Sequence, residues 1–458
     1  MIYIILCYAL LIVAVTLFSK LRFNSNFYNA GHDIGPVVLL LTLFATNMTA
    51  ISIIGAPDQG FSSGFNVFIT LGCATALIVP FLFKILGTQV CEQSKTVGFV
   101  TQPELVFIKT NSTLCRYLFM VLCLIFLIPY IIVGLKGGGD IISVFFDEYG
   151  INIDAKITTA LVALIVYVYV IIGGIRGTSL INSIQAFIFI LGSIYIMLFL
   201  MAKNGGISET IELITQRKPN VFSIESRPGA IEIISFYIIT FSVGAFPHIF
   251  NHWCTAKSAK TFNSSVILYP VCVVLLWGAC VGIGIISNLE FSQKPDTPVI
   301  IALISVINNE WVCSIIAISI LAAIMSSLDS QLISVGALVK KNMTKQYMST
   351  EWILGLFIFF CYLISIFSDK SIFQLGIWSL IGFSSLTPLI YVCLTKEKVD
   401  CNHMAISLIL LLISWVVLLL LDKGVASVIV LFSLSVLCSF WLKNKKPTMQ
   451  EKTSGIHV

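Results

Sequence analysis

The sequence predicts an all-α membrane protein with about 13 transmembrane helices, and three observations carry that prediction. Of the 458 residues, 58% are apolar and only 11% are charged, whereas a soluble domain carries about a quarter charged residues. Apolar runs of roughly 17–25 residues recur from end to end, each long enough to cross a hydrocarbon core of about 30 Å. The loops between them are mostly short, and basic residues gather in alternate loops, as an odd number of crossings with ends on opposite sides requires.

The first run, 2–18, has no basic residue before it and no small-residue cleavage site, so it reads as a retained helix and not as a signal peptide. The second, 34–55, is interrupted in mid-membrane by Ala45-Thr46-Asn47-Met48-Thr49 and ends at Gly55-Ala56-Pro57. Runs 66–86, 114–135, 157–174 and 180–201 follow with fewer such breaks. The seventh, 230–250, is broken by Ser242-Val243-Gly244-Ala245-Phe246-Pro247. Six more complete the set: 264–286, 312–338, 352–367, 372–394, 404–421 and 424–442. The two broken runs lie five apart, the spacing expected of two inverted halves whose interrupted helices carry sites near the midplane. The chain then divides into an extra helix with the first cytoplasmic loop (1–33), a ten-helix core (34–394), two further helices (395–442) and a polar, disordered cytoplasmic tail (443–458).

Charge placement sets the orientation. Lys20, Arg22, Lys84, Lys95, Lys109, Arg176, Lys257, Lys260, Lys340 and Lys341 fall on one side, and Asp140, Asp147, Glu209 and Glu212 on the other. The positive-inside rule places the amino terminus outside and the carboxyl terminus in the cytoplasm of a multi-pass protein of the plasma (cell inner) membrane. The net charge of +5 reflects these inner loops and not nucleic-acid binding. The 13 cysteines lie mostly inside apolar runs without metal-ligand spacing, as packing residues do. No nucleophile–base constellation or phosphate loop points to an enzyme. The expected partners are the lipid bilayer and a small-molecule solute; the sequence sets no oligomeric state.

A freed backbone carbonyl in hydrocarbon is costly unless something satisfies it, and a cation that takes several oxygen ligands does so. The break in the second run offers the carbonyls of Ala45 and Met48. In the ninth run Ala323, Ser326 and Ser327 are spaced i, i+3 and i+4 and share one helical face, so one carbonyl and two hydroxyls point the same way. Such a neutral oxygen cage suits a hard cation. The plain alternative is that these serines bond back to their own helix or to a neighbour. Asp329, one turn on, is an acid inside a membrane span and therefore a candidate functional residue. Three readings of it stay open: it lends negative potential to the ion site, it carries a proton, or it sits near the cytoplasmic mouth and pairs with Lys340 or Lys341. On the sixth run Thr178, Asn182 and Gln185 share a face and either line an inner exit path or make a polar helix contact.

Six stretches resemble the sodium/solute symporter family, which includes sodium/glucose, sodium/proline and pantothenate carriers. They are Phe27-Tyr28-Asn29-Ala30-Gly31-His32, ATNMTAISIIGAPDQGFSSG (45–64), TQPELV (101–106), GGIRGTSLINSIQAF (173–187), FPHIFNHWCTAKS (246–258) and LAAIMSSLDSQLIS (321–334). They occur in the family's order along nearly the whole chain. The resemblance implies a LeuT-type core, the 5+5 inverted repeat of the leucine transporter. It implies Na+ as the coupling ion at Ala45, Met48, Ala323, Ser326 and Ser327, and it alone supplies the ion's identity.

Departures from the family matter as well. Asn182 stands where many members carry an aspartate linked to ion release or a second sodium, which puts that function in doubt here. Ile51 and Ser52 stand where sugar carriers have an acid and an amide, which argues against a sugar. The 246–258 stretch is closest to the proline and pantothenate branch, although His252 replaces that branch's usual arginine. The implied function is sodium-coupled symport of a small carboxylate or amino-acid-like solute, in a cavity formed by Asn47, Thr49, Ser52, Tyr237 and Ser242 near the two breaks. A solute sensor acting through a partner, and a proton-coupled carrier using Asp329, are the competing readings.

Overall fold

A computed structural model describes residues 2–22, 30–147, 150–222, 228–343, 349–421 and 424–442. The tail 443–458 and the Phe27-Tyr28-Asn29 part of the first motif lie outside the described residues. The described chain is all-helical apart from one isolated bridge. In order it forms α1 (Ile2–Arg22), α2 (Pro36–Asn47), α3 (Ile51–Ser63), α4 (Phe68–Val97), α5 (Gln102–Thr110), α6 (Thr113–Asp147), α7 (Ala155–Lys203), α8 (Ile207–Arg217), α9 (Ala230–Gly244), α10 (Pro247–Thr255), α11 (Ala259–Leu289), α12 (Val299–Val306), α13 (Glu310–Asn342), α14 (Thr350–Phe367), α15 (Ile372–Thr395), α16 (Cys401–Leu420) and α17 (Gly424–Trp441).

Among the described residues, nine helices are long and apolar enough to cross a membrane, and eleven if each bent pair counts as one span. The chain is a multi-pass membrane protein. The expected count of about 13 also includes α1 and takes α7 as two spans. At 49 residues a straight α7 would be about 74 Å long, more than twice the hydrocarbon core. Gly174 breaks it, with φ 56° and ψ −171°, a conformation that side chains with a Cβ avoid.

The two bent pairs are α2 with α3, at 62°, and α9 with α10, at 49°. The first break falls at Met48–Ala50, and the run does not end at Gly55-Ala56-Pro57 as its composition suggested. The chain is wound as π-helix over Ile51–Gly55 and continues to Ser63. Pro57 enters at the start of the following α-helical segment, where a missing N–H costs little. In the second pair, a 3₁₀ turn over Thr240–Gly244 leads to the break, and Pro247 opens α10 at its first position.

Packing separates core from periphery. In α13, 89% of the most apolar stretch is buried, against 22% in α14 and 28% in α16 and α17. α13 therefore runs through the protein's interior, packed on α6 and α7. The outer three helices turn apolar side chains such as Phe359, Phe367 and Leu420 outward, as lipid-facing helices do. α3 and α11 approach backbone to backbone: a Cβ at Gly284 would lie 2.1 Å from the Pro57 carbonyl oxygen. Small residues permit such contacts in membrane bundles.

Candidate functional site

The site is built where α2 stops. Met48 leaves the helix with φ −88° and ψ 98°, and carbonyls of the last turn lose their intrahelical partners. That end of the half-helix also carries the negative pole of its dipole. The hydroxyl of Ser326 on α13 donates to the Ala45 carbonyl at 3.0 Å and lies 2.9 Å from the Ala323 carbonyl. The Ser326 hydroxyl thus bridges carbonyls of two helices, bonding both to its own helix and to a neighbour. The Ser327 hydroxyl shares the Ala323 carbonyl at 3.3 Å and reaches the Ile324 carbonyl at 2.9 Å. Met48 is buried at the break itself, and its sulfur lies 3.5 Å from the Ser52 hydroxyl. The donor set is neutral oxygen throughout, on elements held together without a basic side chain. Such a set fits a hard monovalent cation.

Behind this point lies a buried polar cluster. Asn182 of α7 donates to Thr46 at 3.1 Å, to Ser330 at 2.9 Å and to the Asp329 carboxylate at 3.4 Å. Ser330 donates to Asp329 at 3.0 Å and contacts Thr46 at 3.1 Å. The ring Nε2 of His252 on α10 lies 3.2 Å from the Ser330 hydroxyl. Asp329 is fully buried and forms no ion pair among the described residues. Lys340 and Lys341 are 11 and 12 positions further along the same helix, about 16–18 Å up its axis, so the pairing with either lysine is not what the structure shows. A carboxylate nevertheless stands beside residue 182, supplied by α13 instead of α7.

Gln185 points elsewhere. Its amide donates to the Tyr8 hydroxyl of α1 at 2.8 Å, and Tyr169 closes the same region by donating to the Met325 carbonyl at 3.1 Å. The contact is a buried helix–helix one, and Gln185 and Tyr8 also line a small cavity between α1 and α7. Thr178 spends its hydroxyl on the Ile175 carbonyl of its own helix, at 3.0 Å.

A small cavity of about 40 Å³ adjoins the break. Asn47, Thr49, Ser52 and Ser242 all line it, together with Met48. Tyr237 does not. Ile239, Thr240, Ser242 and Val243 form the α9 side of the wall.

Several participants are residues that sequence reasoning did not single out. Tyr269 of α11 accepts from the Asn47 amide at 2.5 Å, fixing that side chain at the end of α2. Gln102 of α5 donates to the Ala245 carbonyl at 3.1 Å, satisfying backbone freed by the second break. Tyr130, Trp277 and Leu380 complete the cavity wall. Tyr130 stacks with Phe246 at 5.1 Å and with His248 at 5.9 Å. Ser330 was legible: it lies one turn beyond Ser326, at i+4, on the face already chosen for the ion.

Known proteins share both the sequence pattern and the architecture. The sodium/proline symporter of Salmonella typhimurium is 22% identical over 348 residues, covering 72% of this chain and 68% of its own. The sodium/pantothenate symporter of Haemophilus influenzae is 22% identical over 334 residues, covering 71% and 67%. A solved structure of a Na+-coupled sialic acid symporter, substrate-bound and outward-open, superimposes with a TM-score of 0.74 at 15% identity, over 97% of this chain and 98% of that one. That likeness shows a shared fold, the LeuT-type core. The sequence pattern of the sodium:solute symporter family matches residues 27–383, most of the chain's length and both broken helices, and the chain belongs to that family of transporters.

Proposed function

We propose that the chain is a sodium-coupled symporter that imports a small organic solute bearing a carboxylate or resembling an amino acid. One observation carries the reading: the Ala45 carbonyl at the end of a broken helix and the Ala323 carbonyl of a distant helix converge on the Ser326 hydroxyl. In this reading Na+ sits among Ala45, Met48, Ala323, Ser326 and Ser327. It ties the α2 break to α13 and orders the cavity above it. Rocking of the core, taken as 34–394, then exposes ion and solute to the cytoplasm, with the amino terminus outside and the carboxyl terminus inside. Asp329, held by Asn182 and Ser330, contributes negative potential to the ion.

The energetics suffice. One charge crossing 100 mV releases about 2.3 kcal/mol, and a tenfold sodium gradient adds about 1.4 kcal/mol. One sodium per solute then supports roughly 500-fold accumulation.

The test is uptake of candidate metabolites into proteoliposomes under an inward sodium gradient, with potassium replacing sodium as the control. Sodium-dependent accumulation supports the reading. Uptake driven by a pH gradient in sodium-free medium would favour a proton carrier instead. Saturable sodium-dependent binding with no flux under any gradient would favour a sensor.

A further inference from the structure

Two hydrogen-bonding groups in the cavity wall are left over. The indole nitrogen of Trp277 on α11 and the hydroxyl of Ser242 on α9 are buried and meet no hydrogen-bond partner among the described residues. Both residues line the cavity. Their polar neighbours in the wall are engaged. Thr75 donates to the Leu71 carbonyl at 2.7 Å, Thr240 to the Phe236 carbonyl at 2.8 Å, and Asn47 to Tyr269 at 2.5 Å. An indole N–H donates and cannot accept, and a buried donor without an acceptor is destabilising. Two residues of the wall therefore carry polar groups without a partner among the described residues.

The rest of the lining narrows what they meet. No Lys, Arg, His, Asp or Glu is among the described residues that form it, and half of the other twelve are apolar: Met48, Ile51, Leu71, Ile239, Val243 and Leu380. A sugar, ringed with hydroxyls, would leave many of its polar groups unmatched here.

We propose that Trp277 and Ser242 are the polar anchors of the solute, and that they select a carboxylate carried on a short, largely apolar body. The proposal rests on the symporter reading, because the balancing positive charge is the sodium held beside Met48 and not a basic side chain. Trp277 and Ser242 are solute-binding residues in this account and take no part in holding the ion.

The experiment is a thermal-shift titration of the purified full-length protein. The probes are L-proline, pantothenate and the straight-chain alkanoates of two to six carbons, each beside its primary amide, in sodium and in potassium. Sodium alone should raise the melting midpoint, and at least one carboxylate should raise it further in sodium, with its amide ineffective. Trp277→Phe keeps the ring and loses the N–H. It should raise the half-effective carboxylate concentration at least tenfold, as loss of one hydrogen bond to a charged group does. Ser242→Ala should do the same, and both variants should keep the sodium-only shift, which reports that they fold. An unchanged carboxylate response in both variants overturns the proposal. So does an amide as effective as its acid, or a protein that responds to sodium and to none of the carboxylates. A protein that ignores sodium refutes the symporter reading instead.

Discussion

Replacing Ser326 and Ser327 by alanine strikes the proposed ion site with the least change of shape. The Ser326 hydroxyl stands 3.0 Å from the Ala45 carbonyl and 2.9 Å from that of Ala323. Alanine removes one of five oxygen ligands and leaves the buried Ala45 carbonyl without its interhelical partner. A polar contact to a charged group is worth about 1.5–3 kcal/mol. At about 1.4 kcal/mol per tenfold change, Ser326→Ala should raise the half-saturating sodium concentration roughly 10- to 150-fold. Ser327→Ala acts on the same Ala323 carbonyl, at 3.3 Å, so the two effects do not add simply, and the double variant should exceed the larger single effect. The assay has two arms: a sodium titration of thermal stability at constant ionic strength, with potassium making up the balance, and initial uptake rates in proteoliposomes against sodium. The first arm separates ion affinity from the about 1–3 kcal/mol of stability that an unsatisfied carbonyl costs. A folded double variant that half-saturates at the wild-type sodium concentration would refute the placement of the ion.

Three further outcomes are expected. Asp329→Asn removes the charge and preserves the side chain's shape. Positions i and i+3 lie about 5–6 Å apart, and at an effective dielectric near 20 a unit charge there contributes up to about 3 kcal/mol. The sodium titration should shift by one to two decades, and an unshifted curve would show that the carboxylate does not act on the ion. Gln102→Leu strands the Ala245 carbonyl at the second break and should cost about 1–3 kcal/mol, read as a lowered melting midpoint with or without sodium; a midpoint equal to wild type would show that the break satisfies itself. Tyr237→Phe should leave the solute concentration for half-maximal uptake within about twofold, since the side chain lies outside the cavity; a tenfold rise would return Tyr237 to the wall.

What was legible follows from what is local. Apolar run length gave the membrane spans, and the five-run spacing of the breaks pointed to both bent pairs. The i, i+3, i+4 pattern of Ala323, Ser326 and Ser327 fixes a common face whatever the tertiary fold. Tyr237 was chosen only for lying near a break, and it is not among the residues that line the cavity. Gln102 sits in the family-like stretch 101–106, and Tyr269 and Trp277 in the run 264–286, but no local pattern assigns any of the three a role at the breaks. Their roles exist only because α5 and α11 pass beside the breaks, which no spacing within either helix encodes. Lys340 was a reasonable partner for Asp329 by composition, and helical rise alone excludes it.

The two candidate sites share one short piece of chain, and coupling between them follows from that economy of backbone. The Ala45 carbonyl meets Ser326 of α13, and in the proposed site the Met48 carbonyl joins it, while Asn47 and Thr49 line the cavity. The helix ends within this segment, at Met48, so the dihedrals from Met48 to Ala50 are not fixed by the α-helical hydrogen-bond ladder. A cation that draws the Ala45 and Met48 carbonyls toward Ser326 restricts the same dihedrals that aim Asn47 and Thr49. Asn47 is restrained from the other side by the Tyr269 hydroxyl at 2.5 Å, so the segment is held between α13 and α11. Ordering it once serves both ligands, and whichever binds first lowers the entropic cost for the second. The coupling must be reciprocal: the factor by which sodium tightens solute binding equals the factor by which solute tightens sodium binding. An ion site formed on an unbroken helix, with its dihedrals already fixed, would have no such lever on the solute.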